Sequence, residues 1–141
     1  MRFLSGLWIA VILAISSIVL LAACDDEEPA GKVNFIDPRD GAQVVSPFTV
    51  RMGTEGVTVE PASQGVRDGY GHHHIIIDAD LPPLDQPIPS DEQHRHFGGG
   101  QAETTLDLPP GEHTLRLLFA QGNHISYSPA ITDMITITVV K

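Results

Sequence analysis

The sequence predicts an all-β fold, an immunoglobulin-like antiparallel β-sandwich of about seven strands, over residues 33–141. Three observations carry this expectation. Short runs of period-two apolar alternation recur at intervals of about 8–12 residues. Gly and Pro cluster between those runs. No window after the N-terminal leader has the 3.6-residue period of an amphipathic helix.

Each element has its own signature. VNFI (33–36) opens the domain and is followed by the turn cluster DPRDG. In PFTVRMG (47–53), Phe48 and Val50 alternate with Thr49 and Arg51, as in a half-buried strand, and GVTVE (56–60) repeats the pattern briefly. HHHIIID (72–78) is a strand whose three isoleucines imply burial on both faces. TTLDL (104–108) alternates, PPG turns the chain, and EHTLRLLFA (112–120) sets Leu115, Leu117 and Phe119 on one face. ITDMITITVV (131–140) is β-branched at almost every position. One stretch breaks the pattern: ADLPPLDQPIPSDEQHRHFGGGQ (79–101) has four prolines, three consecutive glycines and no period. Irregular segments of that length inside a compact domain are usually functional or disordered.

Ahead of the domain, MRFLSGLW carries one Arg, IAVILAISSIVLL runs without a charge, and small residues end at Leu21, Ala22, Ala23 and Cys24. A basic start, an apolar run and small residues before a cut site describe an export signal. The run is also long enough to span a bilayer as an uncleaved anchor, but the small residues and the cysteine argue against that. LAAC resembles the lipobox of bacterial lipoproteins. The resemblance implies a signal peptide over residues 1–23, cleavage before Cys24, a diacylglyceryl group on its sulfur and an acyl chain on its amine. Two or more chains on one residue make a stable membrane anchor. Residues 24–32 are then the lipidated Cys24 and an acidic tether. Asp25-Asp26 resembles an inner-membrane retention signal of enterobacterial lipoproteins. The expected location is therefore the bacterial cell envelope, outside the cytoplasm, and the inner membrane facing the periplasm if the host is Gram-negative.

Cys24 is the only cysteine, so the domain has no disulfide and stands on its apolar core. Without Arg2, seven Lys/Arg face eighteen Asp/Glu, a formal balance of −11. That balance argues against nucleic acid or anionic lipid surfaces as partners and suits the attraction of cations.

The histidines carry the candidate chemistry. On a strand, His72 and His74 share one face about 6.6 Å apart, whereas His73 points the other way with Ile75 and Ile77. Two imidazoles at i and i+2 can lean onto one ion, with nitrogens about 2.0–2.1 Å from it. If the isoleucine face is core, His72 and His74 face outward or toward a covering loop. The spacing recurs in His94-Arg95-His96, so four imidazoles meet if that loop folds back over the strand. His124, in AQGNHISYSPA, joins them if its turn falls at the same sheet end. Asp78 or Asp91 would orient an imidazole from behind. Gly98, Gly99 and Gly100 would let the backbone pass close to the histidine strand. His73 reads as structural, and so does His113, which opens a strand just after a turn, where sandwich domains often place a buried tyrosine. Nitrogen ligands with Asp78, Asp80, Asp91 and Glu92 nearby suit Zn(II) or Cu(II) better than Ca(II) or Mg(II). Met52 and Met134 are far apart in sequence, which disfavours Cu(I) storage on thioethers.

Enzyme signatures are absent: there is no G-x-S-x-G turn, H-E-x-x-H pair or phosphate-cradling loop. The chain is expected not to be an enzyme; a metal hydrolase stays a third alternative without positive support. The run from GHHHIIID through IPSDEQHRHFGGGQAETTLDLPPGEHTLRLLFAQGNHISYSPAI resembles the bacterial family known as domain of unknown function 4399, over roughly residues 33–141. That resemblance places His72, His74, Asp78, His96, Gly98, Gln101, Gly111, His113 and His124 on patterned positions, and Gly122-Asn123 and Ser126-Tyr127 depart from the pattern. It implies an exported β-domain with patterned histidines and no activity. The expectation is thus a lipid-anchored module binding Cu(II) or Zn(II) through the two H-x-H pairs. The alternative is a structural or protein-interaction module whose histidines hold the long loop onto the sheet, without metal.

Overall fold

Apolar alternation along the longer strands builds two facing sheets. The structure, a computed structural model, describes residues 28–141; the leader, Cys24 and Asp25-Asp26 lie outside the described residues. The strands are β1 (Lys32–Asp37), β2 (Gln43–Val45), β3 (Phe48–Glu55), β4 (Thr58–Val59), β5 (Tyr70–Ile77), β6 (His94–His96), β7 (Glu103–Leu106), β8 (Gly111–Ala120) and β9 (Thr132–Val140). One sheet has the order β1-β3-β7 and the other β2-β9-β8-β5-β4, with β6 also paired to β5. All pairings are antiparallel except the short edge contacts β2 with β9 and β4 with β5. The expected all-β sandwich is borne out, with nine strands among the described residues where about seven were expected. The two additions, β2 and β6, are three residues long, and β6 lies within the segment read as irregular.

Phe35, Val50 and Met52 from one sheet meet Ile75, Ile77, Leu115, Leu117, Phe119 and Ile137 from the other in a continuous core. Leu115, Leu117 and Phe119 share the inward face as their spacing requires, and none of them is exposed. Ile76 points the opposite way, into a smaller cluster with Leu118, Ala120 and Ile88. Ile88 comes from the proline-rich segment, which therefore covers the outer face of β5 and β8. Burying such a side chain contributes roughly 1.5–3 kcal/mol toward holding that segment on the sheet.

β5 ends in a latch. Asp78 adopts φ +52°, a left-handed conformation that Asp and Asn tolerate better than most residues. Its Oδ1 accepts the Thr114 N–H at 2.8 Å and its Oδ2 accepts His113 Nδ1–H at 2.7 Å. His113 Nε2–H donates to the Pro109 carbonyl at 2.8 Å. Two acceptors demand two donors, so the ring is held as imidazolium. Burial works against that charge, but the Asp78 carboxylate and the Pro109 carbonyl outweigh it and push the His113 pKa up.

Candidate metal centre

β5 enters the sheet at Gly71, where a Cβ would stand 2.2 Å from the Ala120 carbonyl oxygen. Only glycine lets β5 and β8 close together there, and the next residue is His72. Strand alternation then decides the faces. His73 opposes Phe119 across the β5/β8 ladder and packs edge-on against its ring at 5.5 Å. Neither ring nitrogen of His73 has a hydrogen-bond partner in the protein, and burial lowers its pKa to about 4. His72 and His74 project to the opposite face, under the covering loops, at 0 % and 1 % exposure.

β6 brings the third imidazole. Its antiparallel register sets His96 directly across from His74, Arg95 across from Ile75 and His94 across from Ile76. Cross-strand partners share a face, so His96 arrives beside His74, while His94 lies two residues further along. A Cβ at Gly98 would stand 2.3 Å from the His96 ring, so glycine at 98 is what leaves space for that imidazole. Gly100 adopts φ +80° and completes the turn out of β6 through its N–H to the Phe97 carbonyl.

The fourth comes from the β8–β9 connection. His124 has φ +65°; its N–H donates to Gln121 O and its carbonyl accepts from Ile88 N–H at 2.9 Å. A bridge between Pro87 and Ile125 extends this contact. A Cβ at Gly122 would strike the Gly65 carbonyl at 2.2 Å, so glycine there lets the turn settle against the loop after β4.

Ligand atoms of His72, His74 and His96 all lie within 4.8 Å of one another. His72 Nε2 and His74 Nε2 are 3.0 Å apart, and His96 Nε2 and His124 Nε2 are 2.9 Å apart. Ring centroids are separated by 4.9 Å for His72–His74, 5.0 Å for His72–His96, 5.0 Å for His72–His124, 5.0 Å for His74–His96, 4.6 Å for His96–His124 and 6.1 Å for His74–His124. The floor of the group is buried and its rim is open, because His96 is exposed and His124 half-buried.

Burial first, and then the neighbouring imidazoles, lower the pKa of His72 to about 4 and of His74 to about 2. The same two causes lower that of His96. At neutral pH His72 and His74 are therefore uncharged and keep a lone pair each. The Nδ1 atoms of His72 and His74 are buried without a hydrogen-bond partner in the protein, which is costly unless the site repays it.

Of the residues singled out from sequence, His72, His74, His96 and His124 come together. His94 does not: its Nδ1 bonds Asp91 Oδ1 at 2.7 Å, beside Ile76 rather than His74. With His96 it borders an open cleft of about 510 Å³ whose far wall includes Thr105 and Asp107. Asp91 and Asp78 each orient an imidazole, but these are His94 and His113, outside the group. Gly71, Gly122 and Ile88 were not singled out as site-forming. The glycines' positions next to His72 and near His124 were the available signal; the role of Ile88 had none.

Residues 50–140 match the family described as DUF4399, a domain of unknown function. No curated protein matches. Among solved structures, the endo-beta-1,4-mannanase from Thermotoga petrophila aligns over 83% of this chain at 20% identity with a TM-score of 0.45. The alignment spans 21% of the mannanase chain.

Proposed function

The chain belongs to the DUF4399 family, whose description names no activity, and from the site itself we propose a lipid-anchored, extracytoplasmic module that binds a divalent transition metal, Cu(II) or Zn(II). His72, His74 and His96 hold the ion. The observation that supports this most is their convergence: three imidazole donors within 4.8 Å, two of them fixed on one strand and the third set opposite by strand register. Rigid elements hold ligands better than loops do. Their lowered pKa values leave the nitrogens free for a cation, and imidazole suits Zn(II) and Cu(II). The acidic balance of the chain draws cations toward it. No catalytic step belongs to this reading.

A metal-free reading has support in the same contacts. The Nε2 pairs at 3.0 and 2.9 Å are also hydrogen bonds, and the Ile88–His124 contact clasps the long loop onto the sheet. The unpaired Nδ1 atoms of His72 and His74 do not separate the two readings, because coordination through Nε2 leaves them unpaired as well.

Calorimetry separates the two. The full chain, without a polyhistidine tag, is stripped with chelator and titrated in detergent with Zn(II) and Cu(II). One ion per chain with micromolar or tighter affinity is expected, lost in His72→Ala/His74→Ala and retained in His94→Ala. A ligand at 100 times its Kd stabilises the folded state by about 2.7 kcal/mol, so melting should rise by roughly 10 °C. No heat and no melting shift would leave the clasp. Detergent-dependent extraction, with the mass of an acylated Cys24, tests the anchor.

A further inference from the structure

We infer that His124 is the fourth ligand and that the four imidazoles form a closed tetrahedral site, the geometry of Zn(II) rather than Cu(II). This inference rests on the metal reading above and adds to it the coordination number, the geometry and the ion.

The argument is a comparison of shapes. An imidazole nitrogen about 2.05 Å from a metal places its ring centroid about 3.2 Å from that metal. Four such rings at tetrahedral angles are about 5.2 Å apart in every pair. A square-planar arrangement instead gives four pairs at about 4.5 Å and two trans pairs at about 6.4 Å. The observed values are 4.6, 4.9, 5.0, 5.0, 5.0 and 6.1 Å. Only His74–His124 is long, and the pair that would be its trans counterpart, His72–His96, is at 5.0 Å. Four of the six separations lie nearer the tetrahedral value of about 5.2 Å than either square-planar value, whereas 4.6 Å and 6.1 Å do not. Because a square needs two long trans pairs and only one is present, the set as a whole is a tetrahedron opened along one edge.

The identity of the ring atoms agrees. Nε2 of His72 faces Nε2 of His74, and Nε2 of His96 faces Nε2 of His124, so the same atom of each ring points into the group. Two ligands about 2.05 Å from one ion at a tetrahedral angle stand about 3.3 Å apart, a few tenths of an ångström beyond the observed 3.0 and 2.9 Å. Small outward rotations of the rings admit the ion.

His124 is also built to arrive there. It holds a left-handed backbone that is costly for a residue with a Cβ, and hydrogen bonds to Gln121 and from Ile88 keep it so. Backbone held in a disfavoured region by its surroundings is where a side chain has been aimed. His72, His74 and His96 supply three nitrogens with no carboxylate or thiolate among them, and His124, 2.9 Å from His96, supplies the fourth, which leaves a tetrahedral ion no open position. The ligand class is therefore a four-coordinate divalent ion held and exchanged through the His96–His124 rim, not one kept for reaction with substrate.

Co(II) reports the geometry. The stripped full chain in detergent is titrated with Co(II) and its visible absorption recorded. The Cu(II) complex is examined by electron paramagnetic resonance, and Zn(II) and Cu(II) binding are measured calorimetrically. We expect intense visible Co(II) bands of a tetrahedral centre and a Cu(II) signal with the narrowed parallel splitting of a copper held away from planarity. In His124→Asn the turn survives, because Asn tolerates left-handed backbone, yet the Co(II) bands weaken as water raises the coordination number, and Zn(II) affinity falls at least tenfold. His124→Ala should behave alike, with circular dichroism checking the fold of both. Weak Co(II) bands in the unaltered chain, a tetragonal Cu(II) spectrum, or unchanged Co(II) and Zn(II) binding in His124→Asn would each overturn this inference while leaving metal binding by His72, His74 and His96 in place. Absence of heat with both ions would overturn both.

Discussion

Acidification should unfold the metal-free protein at a pH where its carboxylates are still ionised. The strand His72-His73-His74 places three imidazoles at 0 %, 0 % and 1 % exposure, with pKa values lowered to about 4, 4 and 2. In the unfolded chain each titrates near 6.5. The unfolded state therefore binds protons first as pH falls. Their contribution to stability is complete above about pH 6.5 and declines toward the folded-state pKa values, while the raised pKa of His113 works in the opposite sense. At pH 5 each histidine has given up about 1.5 pH units of difference, or about 2 kcal/mol, so the three together cost about 6 kcal/mol. A domain of ordinary stability has about 5–15 kcal/mol in total. Urea unfolding of the full chain in detergent with chelator, followed by circular dichroism at pH 7 and pH 5, measures the loss. His73→Leu should remove about a third of it, since that imidazole sits in the apolar core and only titrates against folding. Equal stability at the two pH values, within about 1 kcal/mol, would refute the reasoning, because three buried neutral imidazoles cannot be pH-silent.

Two further outcomes follow from particular contacts. Gly98→Ala would put a methyl 2.3 Å from the His96 ring, so metal affinity should fall by a factor of ten or more while the melting temperature of the stripped protein changes by only a few degrees; calorimetry and thermal melts together decide it. Asp78→Asn keeps the left-handed turn but removes the acceptor that raises the His113 pKa. A raised pKa stabilises the fold below about 6.5, and that contribution is lost as pH rises through the folded-state value. The variant should therefore be less stable than the parent by about 1–2 kcal/mol near pH 6 and by less near pH 9, a charged hydrogen bond discounted for the exposure of Asp78; a constant difference across that range would count against the imidazolium latch.

Much of the site was legible because strands have a period of two. Alternation alone separated His72 and His74 from His73, and three isoleucines in a row announced burial on both faces, which Ile75 and Ile77 in the main core and Ile76 in the outer cluster bear out. His113 after its Pro-Pro-Gly turn read as structural, and it bonds back to Pro109. What could not be read was which member of His94-Arg95-His96 meets the first pair. Spacing is the same for both histidines, and a three-residue strand inside a proline- and glycine-rich stretch has no period to betray it.

The boundary between the two kinds of information follows from the range of the forces. Local patterning determined the strands, the inward faces, the glycine turns and the histidine pairs, because each depends on residues a few positions apart. Register and loop placement were decided only by the assembled fold. The pairing of His96 with His74 and the delivery of His124 by Ile88 join positions 22 and 36 residues apart in the chain, and the same register leaves His94 with its neighbour Asp91. No sequence period spans that distance; the packing of Ile88 over Ile76, Leu118 and Ala120 does.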